Sequence, residues 1–167
     1  SLSKSENMNL NPGTRFGKDF KNSTTETTSS DSSSSSIKGL KCNTEMIISG
    51  GEFVIDSEDD SIHTNGSVNI LGGTFSLSSS DDGIHADELV QIDNGTITIN
   101  KCYEGIESAV ITINGGDISV TSSDDGLNAS DGSTPSLNIN GGKVYVNASG
   151  DGLDSNGTMS ISGGEVI

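Results

Sequence analysis

From Ile37 onward the chain alternates apolar and polar residues in short runs, the period of β-strands, whose successive side chains point to opposite faces. The runs recur at a fixed interval. Glycine pairs at Gly50/Gly51, Gly72/Gly73, Gly115/Gly116, Gly141/Gly142 and Gly163/Gly164, with Asn94/Gly95 standing in once, are spaced 22, 22, 21, 26 and 22 residues apart. A second marker, an acid-Gly-aliphatic step, keeps the same register at Asp82-Gly83-Ile84, Glu104-Gly105-Ile106, Asp125-Gly126-Leu127 and Asp151-Gly152-Leu153. Asp60-Ser61-Ile62 is its variant, and Lys38-Gly39-Leu40 begins the series.

Three inward ladders follow. One pairs Met46/Ile48 with Val68/Ile70, Val90/Ile92, Ile111/Ile113, Leu137/Ile139 and Met159/Ile161; a second runs Phe53/Ile55, Phe75/Leu77, Ile97/Ile99, Ile118/Val120 and Val144/Val146. The third is Leu40, Ile62, Ile84, Ile106, Leu127 and Leu153, followed two residues on by the small column Cys42, Thr64, Ala86, Ser108, Ala129 and Ser155. Three short strands in each repeat of about 22 residues, stacked like on like, predict an all-β fold: a parallel β-helix (solenoid) of about six coils over residues 37–167. At roughly 4.8 Å per coil the stack is about 29 Å tall. The four extra residues around Asp131–Pro135 predict a loop bulging from one corner.

Composition narrows the class. Of 167 residues 29% are hydrophobic and none is Trp, while 22 Gly stand against 2 Pro, which excludes an α-helical protein and a large conventional core. Residues 1–36 hold few hydrophobics and run into Ser, Thr and acid, predicting a disordered Ser/Thr-rich tail or insertion. Their charges cancel, so the net charge of −16 belongs to residues 37–167. Such a surface repels phosphate backbones and anionic membranes, so no nucleic-acid partner is expected. No apolar run approaches the roughly 18 residues of a membrane span, and SLSKSENMNL lacks the apolar core of a signal peptide. The absent initiating Met and a last residue in mid-repeat read as a β-helix truncated at both ends, whose uncapped coils would permit end-to-end association. Cys42 and Cys102 fall three coils apart, about 14 Å at that spacing, too far for a disulfide.

The corners carry the candidate chemistry. The acid-Gly corner stacks Lys38, Asp60, Asp82, Glu104, Asp125 and Asp151 beside Asp59, Asp81, Tyr103, Asp124 and Gly150, and a further column reads Lys41, His63, His85, Glu107, Asn128 and Asp154. An edge lined with oxygen donors suits calcium, which takes six to eight oxygens in a tolerant geometry. Three clusters are expected: Asp82 with Glu104 and Glu107, Asp125 with Asp151 and Asp154, and Asp60 with Asp81 and Asp82. The plainer reading of Asp-Gly is a tight turn in which Asp caps its own backbone. That explains one acid per corner but not doublets in register. Zinc lacks partners, since His63 and His85 have no Cys or further His beside them. These two histidines are candidate sugar contacts, although surface histidines bonded to nearby Asp are the simpler alternative. Tyr103 and Tyr145 are expected to face outward as a thin platform for sugars, and Lys38 to pair with Asp60.

The segments KGLKCN, SEDDSIHTNG, SSSDDGIHAD, INKCYEGIES and SSDDGLNAS, each beside an I-x-GG step, resemble the secreted bacterial carbohydrate-binding domain-containing proteins with a polysaccharide-lyase-like β-helix. The resemblance covers residues 37–167, with the Ser/Thr-rich segment as an insertion of variable sequence. It implies a right-handed parallel β-helix, bound calcium, an extracellular or cell-surface location, and binding to plant polysaccharides such as pectic polygalacturonate and cellulose. The family's acidic corners map onto Asp59, Asp60, Asp81, Asp82, Glu104, Glu107, Asp124, Asp125, Asp151 and Asp154. The leading expectation is a non-catalytic, calcium-dependent binding module with no catalytic residues. The alternatives are a polysaccharide lyase on uronates, for which Lys41 is the candidate base, and a non-binding surface or adhesive solenoid.

Overall fold

The computed structural model describes residues 36–167 of the chain. All but the last residue of the expected tail, 1–36, therefore lies outside the described residues. Among the described residues there is no helix, and every paired strand is parallel to its neighbour. The strands wind into a solenoid of about six turns.

One sheet of six strands stacks Glu52–Ser57, Thr74–Ser79, Thr96–Lys101, Asp117–Thr121, Lys143–Asn147 and Glu165–Val166. The other sheet has ten strands. Its corner ladder runs through Leu40–Cys42, Ile62–Thr64, Ile84–Ile92, Ile106–Ile113, Leu127–Ala129 and Leu153–Ser155. Its second ladder joins Glu45–Ile48, Ser67–Ile70, Ser136–Ile139 and Thr158–Ile161 through the later halves of the two long strands. Three separate strands per coil were expected. In the third and fourth coils two of them fuse into one strand each, Ile84–Ile92 and Ile106–Ile113, whose mutual pairing is interrupted by a bulge at Asp87–Glu88 opposite Ala109.

The register is the one that the apolar pattern dictates. Leu40, Ile62, Ile84, Ile106, Leu127 and Leu153 pair in turn, as do Phe53, Phe75, Ile97, Ile118 and Val144. Ile62, Ile70, Ile84, Ile92, Ile106 and Ile113 are fully buried, and the Phe53 and Phe75 rings stack at 4.7 Å. Cys42 and Cys102 are both free and occupy different columns; Cys42 Sγ meets Thr64 Oγ1, whereas Cys102 is buried at the acidic corner. Outside the core, Asn114 donates to Asp93 at 2.7 Å, Asn140 to Asn114 at 2.9 Å and Ser162 to Asn140 at 3.0 Å. This polar ladder ties four coils together beside the glycine pairs.

The two glycine markers have different causes. The second glycine of each pair sits in the left-handed region, with φ of +121° at Gly95 and +92° at Gly116, where a side chain is strained. The first does not, which is why Asn94 can replace it and hydrogen-bond Gly95 N through its own side chain. The glycine of the acid-Gly step has ordinary φ but no room: a Cβ on Gly83 would stand 2.6 Å from Gly105 O in the next coil.

Gly116→Ala should lower stability by about 1–3 kcal/mol, because it adds backbone strain and brings a Cβ to 2.9 Å from Gly95 O. Asn94→Gly should stay within about 0.5 kcal/mol of the parent. Denaturant unfolding followed by circular dichroism checks both, and equal losses would refute the distinction.

Candidate functional site

The acid-Gly corners place carboxylates one above another along a single edge. Each Asp does more than turn its own chain. Asp60 Oδ1 accepts the Asp82 N–H at 3.1 Å, Asp82 Oδ1 the Glu104 N–H at 3.3 Å, and Asp125 Oδ1 the Asp151 N–H at 2.7 Å. The plainer reading, a cap on the residue's own turn, describes Asp59, whose Oδ1 accepts the Asp60 N–H at 3.1 Å, but not these three carboxylates, which cap the next coil. The reason is vertical stacking, which brings the following amide closer than those of the same turn.

Two of the protein's own cations enter this edge. Lys38 Nζ lies 2.5 Å from Asp60 and 3.1 Å from Asp59. Burial works against its charge, but the two carboxylates prevail and raise its pKa, the reverse of what a general base requires. Asp59 falls to about 2 through hydrogen bonds from Ser36 and Lys38. One coil on, His85 Nδ1 lies 3.0 Å from Asp82 and 2.8 Å from Glu107, while Nε2 faces Asp87 at 3.3 Å. Hydrogen bonds to Asp82 and Glu107 push the imidazolium up to about 11, and His85 in turn holds Glu107 near 2. Burial raises Asp82.

His63 and His85 share a column and stack at 5.0 Å with 21° between their planes. His63 is not the surface histidine of the simpler expectation: it is buried, its Nδ1 is 2.7 Å from Asp60, and burial lowers its pKa. Lys41 is exposed beside His63 in the register.

Among the described residues no ion pair reaches the edge beyond His85. Glu104 is pushed up to about 7 by burial and by Glu107, Asp82 and Asp125, with Asn128 Nδ2 its one opposing contact at 3.1 Å. That contact turns Asn128 Oδ1 away from Glu104, and this buried oxygen has no hydrogen-bond partner. A groove of about 310 Å³ lies along this edge, lined by Lys38, His63 and His85 and by Tyr103, Glu104 and Glu107.

Among the described residues three groups bring candidate ligand atoms within 4.8 Å of one another: Asp59/Asp60/Asp81, Asp60/His63/His85 and Asp82/His85/Glu107. The second fails on direction, since lone pairs in the planes of two stacked rings do not meet at a common ion. Asp59, Asp60 and Asp81 thus form one group and Asp82 and Glu107 another, rather than the expected Asp60/Asp81/Asp82 and Asp82/Glu104/Glu107 sets; Glu104 joins neither, and Lys38 and His85 already bridge the two groups internally. Asp124, Asp125, Asp151 and Asp154 share the edge but do not converge within that distance. Tyr103 and Tyr145 are both exposed, on different parts of the coil: Tyr103 lies at the acidic corner and Tyr145 on the six-stranded sheet opposite Ser119. They do not form one platform. The sequence reading missed His85 as an internal cation, the unpaired Asn128 oxygen and the burial of Cys102, whose thiol burial raises to about 12. The column Lys41-His63-His85-Glu107-Asn128 contained the first two signals.

A repeated β-solenoid with an open, polar, carboxylate-lined edge is built for extended ligands rather than enclosed ones. The family model described as "Carbohydrate-binding domain-containing protein" matches residues 4–83 and 77–126. The chain belongs to this family. Comparison with curated proteins and with solved structures finds no match. The matched residues include the corners from Asp59 to Asp125.

The His85 cluster sets a pH dependence of stability. Because the folded pKa of about 11 exceeds the ordinary 6.5, the stabilisation is complete below pH 6.5 and is lost as pH rises toward 11. In chelator, the unfolding midpoint should fall between pH 7 and 8.5 in the parent and fall far less in His85→Gln, the window ending below the range in which the raised Cys102 thiol adds its own loss. A parallel decline in both would show that His85 is not charged in the fold.

Proposed function

We propose that the chain is a non-catalytic, calcium-dependent module of the cell exterior that binds acidic plant polysaccharide of the polygalacturonate type along the acid-Gly edge. Family membership supports carbohydrate as the ligand and a binding role. The observation that carries the cation is the uneven distribution of counter-charge. Lys38 and His85 neutralise the first corners, whereas Glu104 stays desolvated among like charges beside the unpartnered Asn128 Oδ1.

These donors fit calcium. Carboxylate oxygens are hard ligands, and Glu104 and Asp125 would hold the ion with backbone carbonyls of neighbouring coils; Asn128 would add its oxygen only after its amide turns over from the orientation that donates Nδ2 to Glu104. The ion's role when bound is to bridge two polyanions, since a uronate approaching the bare edge meets only repulsion. The chain's own residues then orient the polymer: the groove runs along the stack, and Tyr103 offers an exposed ring at its rim. The coil repeat provides like contacts at regular intervals for a regular polymer.

The test is retention on insoluble polygalacturonate in calcium and in EDTA, with folding monitored by circular dichroism. Calcium-dependent retention of a folded chain is the expected result, and Glu104→Gln should weaken it roughly tenfold or more. Retention that persists in EDTA after verified metal loss would overturn the bridging mechanism.

A further inference from the structure

A second cavity opens on the other side of the His85–Glu107 pair, and the lengths of the coil connections produce it. Between the two strand positions that flank this corner, most coils place two residues: Asn43–Thr44, Asn65–Gly66, Asp87–Glu88 and Asn156–Gly157. The fourth coil places Ala109 alone, and the fifth places Ser130–Pro135. A notch one residue deep therefore lies between a β-bulge at Asp87–Glu88 and an overhanging loop. The loop stands over the notch because two consecutive residues, Asp131 at φ +59° and Gly132 at φ +63°, adopt the left-handed conformation. A Cβ on Gly132 would stand 2.9 Å from that of Ala109, which shows how closely the loop crosses the short coil.

The resulting cavity measures about 390 Å³, within the roughly 300–1,000 Å³ range of small-molecule sites. Its polar lining is held in place before any ligand arrives. Asp87 is anchored by Asn65 Nδ2 at 3.2 Å and faces His85 Nε2, and Ser130 Oγ donates to Glu107 at 3.0 Å. Half-exposed Asp87, held by the far nitrogen of His85, keeps lone pairs free to accept, and the Ser130 hydroxyl can accept as well. Ala109 adds an apolar patch of the kind that receives the C–H face of a sugar ring.

We propose that this notch is a subsite for a single uncharged sugar residue, bound through its hydroxyls to Asp87 and Ser130 under the Asp131–Pro135 loop. The charge count selects against a uronate: Asp87, Glu107 and Asp131 outnumber the one imidazolium, so a carboxylate entering without a cation is repelled, whereas hydroxyl groups can donate to the free acceptors. The module then reads two chemistries, acid along the groove and a neutral ring or side branch at the notch. The inference rests on the carbohydrate-binding reading but not on calcium.

The test is an amide NMR titration in EDTA with neutral gluco-, xylo-, galacto- and manno-oligosaccharides, and separately with galacturonate oligomers. At least one neutral series should shift the amides of Asp87, Ala109, Ser130 and Gly132, with galacturonate leaving them unmoved. Asp87→Asn should weaken the neutral ligand about tenfold. Replacing residues 130–135 by Asn-Gly, the connection that the second coil uses, should abolish its binding while calcium-dependent retention on polygalacturonate persists. Neutral sugars that shift none of these amides, or bind equally well to the loop replacement once circular dichroism confirms its fold, would overturn the subsite alone. Loss of polygalacturonate retention in the parent would instead count against the proposed function.

Discussion

Every feature of this molecule depends on one constraint: each coil must close at the height of the next, so that its backbone amides meet the carbonyls of its neighbour in parallel register. Aliphatic ladders make that closure favourable by filling the interior, and glycines make it sterically allowed where carbonyls of successive coils crowd together. The same constraint forces like side chains into columns. Where the column is isoleucine this is useful, and where it is aspartate it has a cost. Two carboxylates one coil apart repel by roughly 3 kcal/mol at an effective dielectric of about 20. A single hydrogen bond to a charged group returns about 1.5–3 kcal/mol. A backbone cap therefore offsets much of the repulsion but leaves a residue that calls for a cation.

The edge meets that demand differently along its length. Lys38 serves the first acidic corner and His85 the next, each held between two carboxylates. From Glu104 onward no such cation stands among the described residues, and the raised Glu104 pKa and the unpaired Asn128 oxygen mark the transition. Internal cations thus stand at one end and a surplus of carboxylate oxygens at the other, which is the asymmetry that the proposed calcium-dependent function uses. The acidic edge is in this sense a product of the stacking constraint rather than an addition to it.

The fold was legible because its information is repeated. Gly50 to Gly164 and Leu40 to Leu153 state the same register many times, so one ambiguous repeat such as Asn94/Gly95 could not obscure it. The acidic edge was legible as a column but not as a geometry. Nothing in the spacing of Asp60, Asp82 and Asp125 says that each caps the next coil, because that depends on which way each side chain turns at its corner, which the repeat does not carry. His63 and His85 were found as a pair, yet their different fates follow from burial and from Glu107 standing in the adjacent coil. Irregular spacings of 21 and 26 were visible too. That a short coil beside a long one makes a cavity emerges only when the strands flanking both are aligned.

The account turns on where external cations are needed, and a calcium titration of the metal-free protein read by amide NMR asks that directly. Saturable shifts concentrated at Glu104, Asp125 and Asn128, with the amides around Lys38 and Asp59 unmoved, are the predicted result. Shifts centred instead on Asp59, Asp60 and Asp82, or no saturable response anywhere on the edge, would contradict the division between corners neutralised from within and corners that await a cation.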